Sequence, residues 1–221
     1  MRDPVALAWS GRIPEARALA LEQAESGDAL VVPQGLEALG VLGREHGVRA
    51  DARMERLLVT RAEDESGVAR RAFEAAMGLE SRALEGLSAR LLAQGEARWE
   101  VLRYAGELPS LVLARALAQG WRAVPDELQD EALLTACAMP AANRDECAGW
   151  GERALAQTQS ARESVRVAAF TAVRIWAYAP AAARCTEALE DESPAVRREA
   201  ARALAAIRAA LDGEQAKPGS G

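Results

Sequence analysis

The sequence predicts an all-α chain, an α-solenoid of about six antiparallel helix pairs. Three observations predict it. Nearly the same line is written twice, DESGVARRAFEAAM at 64–77 and DESPAVRREAARAL at 191–204. Between and around those lines, apolar residues at helical spacing recur roughly every 32 residues. The composition is that of helices: 50% of the 221 residues are hydrophobic and only 4% aromatic, and alanine is abundant. Alanine is the strongest helix former and is small enough to let helices pack closely.

Each element follows in order. PEARALALEQAE (14–25) is the first helix, and PQGLEALGVLGRE (33–45) is its partner. Between them ALVV (29–32), ending at Pro33, is the best strand candidate in the chain. DARMERLLVTRA (51–62) precedes the first DES line, which puts Ala69, Phe73 and Met77 on a buried stripe. RALEGLSARLLA (82–93) pairs with RWEVLRYAGEL (98–108), and PSLVLARALAQG (109–120) with DELQDEALLTACAM (126–139). NRDECAGWGERALAQT (143–158) pairs with SARESVRVAAFTAV (160–173), where Val165, Ala169, Val173 and Trp176 form the stripe. PAAARCTEALE (180–190) leads into the second DES line, whose stripe is Val196, Ala200, Leu204 and Ile207. Pro14, Pro33, Pro109, Pro180 and Pro194 stand at or near helix starts, where a missing N–H costs nothing. Gly27, Gly47, Gly95 and Gly120 stand near helix ends. The array is expected to fill 1–211, with 212–221 as a flexible tail.

The line D-x(5)-R with VRxxAxxAL resembles the HEAT family, and more narrowly its short bacterial form, the HEAT-like repeats of phycobilisome lyases. The resemblance is good over 160–211 and fair over 60–80, and elsewhere it is one of period. In that family an Asp in the turn and an Arg opening the second helix form a ladder between neighbouring repeats. The resemblance implies those places for Asp64 with Arg70 and for Asp191 with Arg197. Ser160 stands where the Asp before Arg166 would be, so that rung is missing or borrowed. The Trp, Leu-Gly and Tyr positions of tetratricopeptide repeats do not line up here, and the ankyrin TPLHxA is absent.

The chemistry-bearing residues are few. The single histidine, His46, precedes Gly47 at a helix end, where it complements the helix dipole. With one His and no CxxC among three cysteines, the sequence offers no metal site. Cys137 and Cys147 flank the turn AMPAANRDE, so an oxidising compartment would permit a disulfide between them, while the alternative is two buried thiols. The carboxylates of 63–65 and 190–192 precede helix starts and read as caps. Five tryptophans are spread along the chain and read mainly as core. No phosphate loop, Ser-His-Asp set or cofactor fingerprint is present.

A net charge of −6 argues against nucleic acid and anionic membranes as partners. No apolar run is long enough to span a membrane or serve as a signal peptide, which points to the cytoplasm. A periplasmic protein recloned without its leader would look the same. The function expected is a non-catalytic interaction or scaffold module binding another protein. Arg103, Arg174, Arg198 and Arg202 leave the buried stripe of the second helices and form a mildly basic row suited to an acidic segment. The alternative is a HEAT-like enzyme, a DNA-base glycosylase or a lyase, which would need a basic cleft holding Trp99, Trp121 or Trp150 beside a carboxylate.

Overall fold

A computed structural model describes residues 3–64, 66–141 and 144–215. Among the described residues there are thirteen α-helices and no strand. They are α1 (Pro4–Trp9), α2 (Ile13–Ala24), α3 (Val32–His46), α4 (Ala52–Ala62), α5 (Ser66–Gly78), α6 (Glu85–Gln94) and α7 (Trp99–Glu107). Then follow α8 (Leu111–Gly120), α9 (Gln129–Ala138), α10 (Arg144–Gln157), α11 (Glu163–Trp176), α12 (Ala182–Glu187) and α13 (Pro194–Gln215). α2 to α13 fall on the twelve stretches read from the sequence, and α1 is an addition.

The packing order is simple. α2 packs on α3, α4 on α5, α6 on α7, α8 on α9, α10 on α11 and α12 on α13. The second members pack on one another in sequence: α3 on α5, α5 on α7, α7 on α9, α9 on α11 and α11 on α13. α1 lies against α2 and α3. The stripes explain this order. Val165, Ala169, Val173, Val196, Ala200, Leu204 and Ile207 are all buried, as are Ala69 and Phe73, while Met77 is half-buried. The buried side chains form two clusters, one from Ala8 to Trp150 and one from Leu133 to Ile207. Trp121 and Trp176 pack against both clusters. Trp150 joins them, 5.7 Å from Trp121 edge-on and 6.3 Å from Trp176 stacked.

Local signals set the helix ends. The Asp51 carboxylate accepts from the Arg53 and Met54 N–H groups and starts α4. Ser110 starts α8 and Ser193 starts α13 in the same manner. Gly47 ends α3 at φ +66°, where a side chain would be strained. The crossing of α3 and α5 depends on glycine for a different reason. A Cβ on Gly78 would sit 2.4 Å from the Gly40 carbonyl oxygen, and one on Gly43 would sit 2.2 Å from that of Gly78. The two backbones touch there.

ALVV, the best strand candidate, is helical and turn like the rest of the all-α chain: Leu30 and Val31 lie in a turn and Val32 opens α3. Pro33 sits in the first turn of that helix, where its fixed φ favours helix and no N–H is needed. The C-terminal tail begins later than 212, because α13 continues to Gln215. Asp212, Glu214 and Gln215 extend the helix despite Gly213; residues 216–221 lie outside the described residues.

Candidate interaction surface

The ladder positions come first because they fix how the second helices sit. Arg166 is buried at the start of α11. Its Nη1 donates to the carbonyls of Ser160 (3.0 Å) and Ala161 (3.2 Å), in the turn before its own helix. Its Nη2 reaches forward to the Asp191 carboxylate (3.1 Å) and lies 3.5 Å from Glu192. Arg166 therefore takes its carboxylate from the following turn, not from position 160. Arg197 repeats the backward half, with Nη1 donating to the carbonyls of Asp191 (2.7 Å) and Glu192 (3.0 Å). Asp191 is thus the acceptor of two different rungs, through its side chain for Arg166 and its carbonyl for Arg197. At the first DES line the implied partners separate. Asp64 pairs with Arg61 (3.0 Å), while Arg70 pairs with Glu74 (3.0 Å) and lies over Trp99, 5.1 Å from the ring centre.

A second set of rungs was not read from the sequence. Arg61 of α4 donates to the carbonyls of Ala24 (3.0 Å) and Ser26 (2.9 Å) at the end of α2. Arg90 of α6 pairs with Glu63, just past α4, at 3.2 Å. Arg153 of α10 donates to Ala118 of α8 (3.3 Å), and Arg184 of α12 to Thr158, just past α10 (3.3 Å). Arg61, Arg153 and Arg184 donate to carbonyls at or just past the negative end of the preceding first helix, and Arg90 pairs there with a carboxylate.

The four arginines expected to meet a partner are placed as follows. Arg103 lies over the other contact on Trp99, 4.9 Å from the ring centre, and pairs with Glu107 at 3.6 Å. Trp99 is therefore contacted by two guanidinium groups, Arg70 and Arg103. Arg174 of α11 faces Glu199 of α13 at 3.5 Å, and Glu199 also pairs with Arg202. Arg198 is exposed and makes no ion pair among the described residues. Arg174, Arg198 and Arg202 so form one cluster across α11 and α13, with Arg103 apart from it on α7. α9 and α11 enclose a groove of about 500 Å³ lined by Leu134, Val167, Ala168 and Thr171, the last one turn before Arg174, with Asp130 and Glu163 at its other end. Leu134 is 45% exposed and Ile175, next to Arg174, is 47% exposed.

A second groove, about 420 Å³, lies between α8 and α10 and is lined by Ala114, Arg115, Ala118, Glu146, Gly149, Trp150 and Arg153. It has the residue types of the enzyme alternative. However, Trp150 is only 4% exposed and Arg153 lies over its ring at 5.0 Å. Arg115 pairs with Glu146 at 3.3 Å. The indole face and the cations are engaged within the protein. His46 ends α3 and meets Trp9 edge-on at 5.3 Å. Cys137 and Cys185 are free thiols, and the Cys147 side chain, with any bridge to it, lies outside the described residues. Burial pushes the Cys137 thiol up to about 12 against the pull of Arg174, and Cys185 up to about 11. Among the described residues no group of His, Cys, Asp and Glu could hold a metal ion, and no helix is long and apolar enough to cross a membrane.

No protein-family model matches the chain, and no curated protein is significantly similar to it. Among solved structures it is similar to the crystal structure of an engineered protein from the Northeast Structural Genomics Consortium. The TM-score is 0.56 at 15% identity, over 87% of this chain and 96% of that one. At that identity the likeness concerns the fold alone.

Proposed function

We propose that the chain is an α-solenoid of six antiparallel helix pairs of the HEAT-like kind, and that it works as a non-catalytic protein-interaction or scaffold module. The packing order supports the solenoid, since each second helix packs on the next. The two-sided use of Asp191 by Arg166 and Arg197 is what a ladder between stacked repeats requires.

The surface that binds is the exposed side of α9, α11 and α13. One observation carries this reading: the apolar groove at Leu134 and Val167 runs to Thr171, one turn before Arg174 on α11, and Glu199 links Arg174 to Arg202 on α13. An apolar side chain fills the groove, and carboxylates next to it meet the arginines. The ligand is an acidic protein segment carrying apolar residues. Such contacts lie at a solvated rim and weaken with salt.

The test uses a fluorescein-labelled peptide of Glu and Leu, with a control in which Lys replaces Glu, followed by anisotropy at low and high salt. Binding of the acidic peptide alone, weakened at least tenfold by Arg198→Glu with Arg202→Glu and separately by Leu134→Glu, is the expected result. Equal binding of both peptides, or variants without effect, contradicts it. The enzyme reading draws on the α8–α10 groove, whose engaged Trp150 and Arg115 give it less support.

A further inference from the structure

The row of α13 that continues the stacking direction is exposed. On α11 the corresponding row is Arg166, Phe170 and Arg174, and it faces α13. Arg166 pairs with Asp191, Phe170 is fully buried in the C-terminal core cluster, and Arg174 pairs with Glu199. Thirty-one positions later the same row of α13 holds Arg197, Ala201 and Ala205, all exposed. Arg197 is held in the pose of Arg166 by its two backbone carbonyls. The forward bond is what differs: Arg166 Nη2 has a carboxylate, and Arg197 Nη2 has no acceptor among the described residues. Two turns beyond Ala205 the row continues through Arg208 to Asp212, which is exposed and makes no ion pair among the described residues. One helix face thus carries a posed guanidinium near its start and a carboxylate near its end, with Ala201, Ala205 and Arg208 between them.

We propose that this face binds the same face of a second copy of the chain, with the two α13 helices antiparallel about a two-fold axis near Ala205. Reversing the helix places Arg197 of one copy on Asp212 of the other, and the pairing occurs twice. A two-fold interface has to be self-complementary in this way. Ala201 and Ala205 let the helix axes approach to the short end of the usual 8–10 Å range. Leu211, 42% exposed on the flank of the row, is covered by the contact. Head-to-tail stacking is disfavoured because α1 already packs against α2 and α3 at the other end. The contact is one helix wide, below the standard interface size, so the association is weak and depends on concentration. The proposal uses none of the residues assigned to the acidic segment, so either can fail alone.

Sedimentation equilibrium of the full chain over a concentration series at low salt tests it. The expected result is a monomer–dimer equilibrium that does not proceed beyond the dimer. Arg197→Glu and Asp212→Arg each weaken it at least tenfold, and the double variant, with the charges exchanged, recovers it. Ala205→Glu, at an exposed position, abolishes the dimer with the helical circular dichroism unchanged, which covers the case that Arg197→Glu disturbs the local fold. A wild-type chain that stays monomeric overturns the proposal. So does a dimer indifferent to Ala205→Glu, a double variant that does not recover, or growth into longer assemblies.

Discussion

Asp191 gathers more interactions than its place in a surface turn suggests. Burial alone would raise its carboxyl, but the Ser193 N–H and the hydrogen bond and charge of Arg166 outweigh that and hold it below the usual carboxylate range. A lowered folded-state value means that the charged form stabilises the fold. That contribution is fully present above the unfolded carboxylate range, about pH 4, and is lost as the pH falls through the lower folded-state value. Asp191→Asn leaves the buried Arg166 with only the exposed Glu192 carboxylate, at 3.5 Å, and should cost about 1–3 kcal/mol at neutral pH. Urea melts at neutral and acid pH check this: the gap between wild type and variant should close at low pH, and a constant gap would assign the loss to something other than charge. The family-like line implied Asp191 with Arg197; the Asp191 carboxylate goes instead to Arg166, and Arg197 takes the Asp191 backbone carbonyl. At Arg70 the pairing with Glu74 and the contact with Trp99 decide the geometry; Glu74 stands in the line itself at i+4, whereas Trp99 lies outside it.

At the scale of elements, apolar periodicity was enough to find α2 to α13, because each helix buries a stripe against its neighbours. It missed α1, whose six residues are too few to show a period. It also missed the arginines that bridge successive first helices. Their signal was present: Arg61, Arg90, Arg153 and Arg184, with Arg122 between, recur at spacings near the repeat period. They lie on polar faces, where stripes are not sought. The α3–α5 contact rests instead on backbone approach at Gly40, Gly43 and Gly78, so Gly78→Ala must push the helices apart. It should cost about 1–3 kcal/mol as an overpacked contact, opposite to the small gain alanine normally brings to a helix. Thermal melts decide the sign. A variant more stable than wild type would show that the two helices do not touch there.

For the molecule as a whole, the period and the Pro and Gly punctuation made the all-helical fold legible, while the surface was legible only in part. Three of the four candidate arginines do gather on α11 and α13. Arg103 lies apart on α7, over Trp99 of the same helix, and Glu199, which links Arg174 to Arg202, is silent in the sequence because its neighbours are set by the packing of α11 on α13. The grooves are likewise products of packing between helices and have no motif. The central claim is that helix pairs stack in a row, each second helix resting only on its neighbours. Small-angle X-ray scattering extrapolated to zero concentration, where any dimer has dissociated, tests it most directly. A compact domain of this length has a radius of gyration of about 17 Å. The stacked array predicts a clearly larger value and a pair-distance distribution with a long tail, whereas about 17 Å with a symmetric distribution would contradict it.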